Sequence, residues 1–355
     1  MNKMALPKQI LKMQIGIIDN RLPMLFGCKR LTYFLLIALL QLSCLSDADR
    51  NNLLDPKSDR FKNAGSVSGQ VSTFYAPVSP MADVEVRLLP ETFVTTTDAN
   101  GAFQFKSVPV GKYTVSASKT GFASDTLAVD VRLEGTDPID IKLRLDALPV
   151  INSFLVNSCR IDRVFPLDDL FFLEVTARVD DPDGFNDIDF VEFEIPDIGF
   201  IDTLDVTETP TVYSKAIIAS QIELPSLYDL LGMGLMLKAH DRPGFTTLSQ
   251  PKFLARVIGE SPQIDSPQGF ELVSNNPTLV WKKLVFPFEF KFKVEIVSVD
   301  LGINIPVLTK PDIDKAATSI VVADSLGPGN YNWTITAIDN FGNCSRSKVA
   351  AFRIN

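Results

Sequence analysis

Thr97-Asp98-Ala99-Asn100-Gly101-Ala102-Phe103-Gln104-Phe105, followed by Val108-Pro109-Val110-Gly111-Lys112-Tyr113-Thr114-Val115, is the stretch whose reading decides the fold. Phe103 and Phe105 alternate with polar neighbours, and Tyr113, Val115 and Ala117 do the same. Alternation with period two is the mark of a half-buried strand. Asn100-Gly101 supplies turn chemistry, because both residues tolerate positive φ, and predicts a tight hairpin. Val108-Pro109-Val110-Gly111 marks a second turn and Lys119-Thr120-Gly121-Phe122 a third. Upstream, Val67, Gly69 and Val71 open a strand, and Val84, Val86 and Leu88 alternate again. No helical period runs through 66–146.

With Gly121-Phe122 behind them, these residues resemble the carboxypeptidase regulatory-like domain. The resemblance implies a seven-stranded, transthyretin-like β-sandwich over 66–147. It also implies a structural or binding module without catalytic residues of its own. In that family the domain is appended to peptidases, outer-membrane transporters and adhesive surface proteins.

Leu148-Pro149-Val150-Ile151 marks the next boundary. Leu173, Val175, Ala177 and Val179 alternate up to Asp180-Asp181-Pro182-Asp183-Gly184, and Ile188, Phe190, Val191 and Phe193 form the return. By pattern, 148–259 resembles an immunoglobulin-like or cadherin-like sandwich. Ser226–Met236 has room for one helical turn. The acidic run Asp180–Asp189 is the best site candidate. Calcium takes about six to eight oxygens, and close carboxylates around a Gly turn supply several. Asp180, Asp181, Asp183 and Asp187 are the candidate calcium ligands; strand alternation points Asp189 elsewhere. The flanks are strands, and the closing Glu of a helix-loop-helix calcium site is absent. The other reading is a plain turn whose carboxylates cap backbone amides.

Residues 260–355 resemble a fibronectin type III domain. Pro262 and Pro267 stand at its start, Leu279-Val280-Trp281 forms an early strand, and Phe290, Phe292, Val294 and Ile296 alternate. Tyr331 precedes the Trp333 strand, as the corner tyrosine does in such sandwiches. Trp281 and Trp333, the only tryptophans, fit core packing between sheets; carbohydrate stacking is the alternative. A short repeat links the last two domains. Lys238-Ala239-His240-Asp241 and Thr336-Ala337-Ile338-Asp339 both end a strand in Ala-x-Asp, and Gly244 and Gly342 each follow three residues after the Asp.

Ahead of the sandwiches, Lys29 and Arg30 precede the apolar run Leu31–Leu40, which ends at Ser43-Cys44. Ten apolar residues are about half of what crosses ~30 Å of hydrocarbon, and this arrangement is that of a secretory signal. It resembles the lipobox of bacterial lipoproteins, with Gln41 three residues before the cysteine. The resemblance implies lipidation at Cys44 and a membrane anchor, outer membrane foremost. Residues 1–43 then form the signal region, with Met24 an alternative start, and 44–65 a polar tether.

The chain has 355 residues and a formal charge of −9. Its first 43 residues carry six cations (Lys3, Lys8, Lys12, Arg21, Lys29, Arg30) against Asp19, so the remainder stands at −14. An acidic surface repels phosphate backbones and argues against nucleic acid. His240 is the only histidine, which leaves little material for a hydrolase triad or a histidine zinc site. Of the four cysteines, Cys159 and Cys344 remain once Cys28 and Cys44 are assigned to the signal region and anchor. They either pair in an oxidising compartment or stay as two buried thiols, and the thiols are the simpler reading. The expectation is an all-β protein of tandem β-sandwich domains behind a lipoprotein signal. It is non-enzymatic and acts as an adhesion, scaffold or protein-binding module. A carbohydrate-binding accessory of nutrient uptake is the first alternative and a hydrolase the second.

Overall fold

The computed structural model describes residues 64–90, 93–132, 139–300 and 303–355. The signal, the Met24 start, Cys44 and residues 44–63 of the tether lie outside the described residues; its last two, Ala64 and Gly65, already belong to the first strand. Gly65–Asn355 pack as one unit. Among the described residues every regular element is a strand or a short 3-10 turn, and no helix is long and apolar enough to cross a membrane.

The first sandwich is built from β1 (Ala64–Thr73), β2 (Glu85–Leu89), β3 (Phe93–Thr96), β4 (Ala102–Pro109), β5 (Gly111–Ser118), β6 (Asp125–Val131) and β7 (Ile139–Leu145). They form two sheets, ordered β4-β1-β7 and β3-β2-β5-β6. The alternating residues of the opening stretch, Phe103, Phe105, Tyr113 and Val115, bury between them with Val67, Val86, Leu88 and Leu143. The Asn100-Gly101 turn departs from expectation. It does not close a hairpin, because β3 and β4 belong to different sheets. Asp98 Oδ1 accepts from the N–H groups of Asn100 (2.8 Å) and Ala102 (2.9 Å), which carries the chain across the core. Only Gly101 takes positive φ (72°), and a Cβ there would meet the Val71 carbonyl at 2.3 Å.

The second group is β8 (Val150–Ile161), β9 (Leu170–Asp180), β10 (Ile188–Ile195), β11 (Phe200–Thr203), β12 (Asp205–Val206), β13 (Val212–Ile218), β14 (Met236–Asp241) and β15 (Thr246–Leu248). Its core centres on Leu173, Val175, Val191, Phe193 and Leu237. The ambiguous segment holds one 3-10 turn, Leu227–Leu230. Ser226 caps it, and Leu227 and Leu230 are buried.

The third group is β16 (Ile264–Ser266), β17 (Glu271–Leu272), β18 (Thr278–Trp281), β19 (Phe290–Asp300), β20 (Ile303–Asp314), β21 (Ser319–Val321), β22 (Gly329–Asp339), β23 (Cys344–Arg346) and β24 (Ala350–Ile354). Trp281 and Trp333, each 1% exposed, fill its core with Phe292 and Phe352. The Trp333 indole N–H donates to the Pro267 carbonyl (2.9 Å), and the Tyr331 hydroxyl donates to the Gly327 carbonyl (2.9 Å). The second and third groups share a sheet: β8 pairs in parallel with β23, and a ten-stranded sheet results. Cys159 and Cys344 face each other in that register and form a disulfide. The separate-thiol reading fails because the shared sheet brings their Cα atoms to 4.6 Å.

Candidate metal centre

The acidic run folds first as a turn. Gly184, at φ 116°, donates its N–H to the Asp181 carbonyl (2.9 Å), and Asp181 Oδ1 accepts from the Asp183 N–H (2.8 Å). A 3-10 turn over Phe185–Asp187 follows, with the Asp187 N–H bonded to the Gly184 carbonyl (2.9 Å). The two turns present Asp183 and Asp187 to Asp146, which directly follows β7 of the first sandwich. One carboxylate oxygen from each of Asp146, Asp183 and Asp187 lies within 4.8 Å of the others.

The first sandwich also holds both loop carboxylates. The Ala147 N–H donates to Asp183 Oδ2 (2.9 Å), and the Tyr75 hydroxyl donates to Asp187 Oδ1 (2.5 Å). Asp241 closes the pocket from the end of β14, where its Oδ1 accepts from the N–H groups of Gly244 (2.9 Å) and Phe245 (2.6 Å). Asp181, Asp187 and Asp241 therefore each bond a protein donor through one oxygen, and their second oxygens are buried without a partner. Asp146, 2% exposed, meets no protein donor at either oxygen, and the group within hydrogen-bonding reach of it is another carboxyl, that of Asp241.

This crowding sets the electrostatics. Burial, then the charges of Asp187, Asp241, Asp183 and Asp181, push Asp146 up to about 7. Burial raises Asp181 to about 6 against the pull of the Asp183 N–H. Burial likewise raises Asp241, opposed by the Phe245 and Gly244 amides. Tyr75 is raised too, by burial first and then by its bond to Asp187. The donors are all hard oxygens, without histidine or cysteine, which suits calcium or magnesium rather than zinc.

Asp181, Asp183 and Asp187 thus meet at one place, and Asp180 does not. The Asp180 carboxylate accepts from the Asn152 amide (2.6 Å) and pairs with Arg178 (3.4 Å), because β9 alternation turns it away. Asp189 is exposed. Asp146, Asp241 and Tyr75 were missed because they lie far off in sequence. The Ala-x-Asp repeat was the available signal for Asp241. The tryptophans are closed to carbohydrate stacking, since both are core residues. His240 sits within β14, one residue before its end. It contacts Glu192 and Thr246 at 3.0 Å each and stacks on Phe190, which is a structural role.

Residues 66–144 match the family profile of the carboxypeptidase regulatory-like domain. No curated protein matches the chain. Among solved structures, the major pilin subunit BcpA of Bacillus cereus is 12% identical, with 79% of this chain and 91% of that chain covered and a TM-score of 0.27. The FN1–FN3 domains of chicken CNTN1 are 10% identical over 82% of this chain and 99% of that chain, at a TM-score of 0.28. The fibronectin(III)-like modules of Clostridium thermocellum CbhA are 13% identical over 58% and 93%, at 0.27. Scores this low say nothing of function.

Proposed function

We propose that this chain is an extracytoplasmic, lipid-anchored, non-enzymatic protein that acts as an adhesion or scaffold module at a bacterial surface. The Cys159–Cys344 disulfide across two sandwiches carries the reading. Such a bond persists in an oxidising compartment. Here it joins strands of a single sheet, a construction that resists separation of the modules it links. Buried polar ties reinforce the same seam: the Ser158 N–H donates to Asn343 Oδ1 (2.9 Å), and the Ser261 hydroxyl donates to Asp162 Oδ2 (2.8 Å). The lipobox-like Ser43-Cys44 supplies the anchor, and the outer membrane is its proposed location. A protein or carbohydrate surface is the proposed partner.

Cys44→Ala in cells tests the anchor and the role together. Wild type is expected in the membrane fraction with an acylated N-terminal peptide starting at Cys44, and cells bearing it adhere to protein- or polysaccharide-coated surfaces. The variant is expected in the soluble fraction, with adhesion lost. Unchanged fractionation and adhesion, or turnover of a glycoside or peptide by the purified chain, overturns the reading.

A further inference from the structure

We propose that Asp146, Asp183 and Asp187 bind a calcium ion that clips the first sandwich to the second, with Asp181 and Asp241 completing the negative shell. The inference goes beyond the adhesion reading and does not depend on it. A buried carboxylate oxygen without a partner is costly, and a protein that keeps several together has a partner for them. Asp146 contributes two such atoms, and Asp181, Asp187 and Asp241 one each. The spacing fits as well. Oxygens bound at about 2.3–2.6 Å on opposite sides of a calcium ion lie about 4.6–5.2 Å apart, and the three nearest carboxylates lie within 4.8 Å.

A second turn of the same chain shows what such a pocket takes. Asp339 ends β22 as Asp241 ends β14. In both, Oδ1 accepts from the N–H four residues on, and a glycine three residues on has positive φ (Gly244 99°, Gly342 92°). At the third sandwich the other oxygen, Asp339 Oδ2, is met by Arg256 Nε (3.1 Å) from the segment that joins the second sandwich to the third. The matching segment between the first and second sandwiches brings Asp146 instead. Where one junction receives a guanidinium, the other receives a further carboxylate, and an ion from solution supplies the missing positive charge. Calcium suits the pocket better than magnesium. The ligands come from separate segments, and calcium accepts irregular shells where magnesium demands a near-octahedral one and holds its waters.

The test uses the full mature chain after EDTA, with calcium chloride or magnesium chloride as the probe, read by titration calorimetry and thermal melts. With a Kd of about 0.1–1 mM, usual for extracellular modules, 5 mM calcium raises the folded-to-unfolded ratio about 6–50-fold. Magnesium is expected to do less. Asp146→Asn and Asp187→Asn are each expected to abolish the calcium response. In EDTA, Asp146→Asn is expected to melt at or above wild type, since a buried charge is gone; this separates loss of the ion from loss of the fold. Calcium is also expected to slow proteolysis at 147–149 in wild type alone. The proposal is overturned if wild type shows neither binding heat nor a melt shift, if magnesium binds as tightly as calcium, or if Asp146→Asn keeps the full response.

Discussion

Without added metal, the carboxylate pocket should make the protein less stable as pH rises from acid to neutral. Asp146 has an ordinary carboxylate value of 3.8 and stands at about 7 in the folded chain. Between those values the folded state holds a proton that the unfolded state has lost. Stability therefore falls with rising pH across that window and levels off above it. At about 1.36 kcal/mol per pH unit, the gap from 3.8 to about 7 gives a ceiling of roughly 4 kcal/mol. Water reaching the junction lowers this, and Asp181 titrates with Asp146 as a coupled set, so the two effects do not add. Urea unfolding in EDTA at pH 4.5, 6 and 8, for wild type and Asp146→Asn, isolates the effect. Carboxylates away from the pocket cancel in the difference between the two proteins, and the response of the carboxylates coupled to Asp146 stays in it. Wild type minus variant is expected to drop by about 2–3 kcal/mol from pH 4.5 to 8. A difference that is flat with pH, or that rises, would refute the claim that Asp146 is buried without a positive partner.

Further perturbations separate the two junctions. Arg256→Met leaves Asp339, whose side chain is 1% exposed, with only the neutral donors of Phe341 and Asn343, and removes the guanidinium stacked 3.9 Å from the Phe288 ring. Breaking a fully buried pair from one side costs about 3–5 kcal/mol; with Arg256 28% exposed and three donors left on Asp339 the loss is expected at or below about 3 kcal/mol, measurable as a lower urea midpoint that Asp339→Asn partly restores. Replacing Cys159 and Cys344 together by alanine opens a loop of 185 residues, for which chain entropy sets a ceiling of about 5 kcal/mol; equal midpoints for variant and oxidised wild type would exclude the cross-link. Tyr75→Phe removes the donor to Asp187 Oδ1. In EDTA it is expected to cost about 1.5–3 kcal/mol, read from the same melts.

The sandwich class was legible because sheets write themselves in period two. Phe103, Phe105, Tyr113 and Val115 in the first sandwich, and Phe290, Phe292, Val294 and Ile296 in the third, are all buried. What alternation does not encode is the sheet to which the next strand goes. Asn100-Gly101 read as a hairpin, yet Asp98 steers the chain to the opposite sheet through two side-chain bonds that a turn table ignores. The disulfide was hidden for a related reason: parallel pairing of β8 with β23 is contact between groups far apart in sequence, and nothing local announces it.

The acidic site was half legible, and the missing half is informative. Turn chemistry and metal chemistry read as rivals for Asp180–Asp189, but the structure lets one segment serve both. Asp181 shapes the turn with one oxygen and offers the other. Asp180 falls out of the site because it leaves β9 on the face that carries Asn152 and Arg178, which spacing along the chain does not encode. Asp146 and Asp241 reach the pocket through tertiary packing, so nothing near the loop in sequence signals them. The loop presents Asp181, Asp183 and Asp187, and the further carboxylates of the pocket come from what packs against it. Here that is the end of the preceding sandwich. A pocket completed only when two modules meet responds to an ion by changing how firmly they are joined. That is why a calcium effect should appear in proteolysis of 147–149 and in unfolding of the first two sandwiches, and leave the Arg256-filled junction between the second and third unmoved.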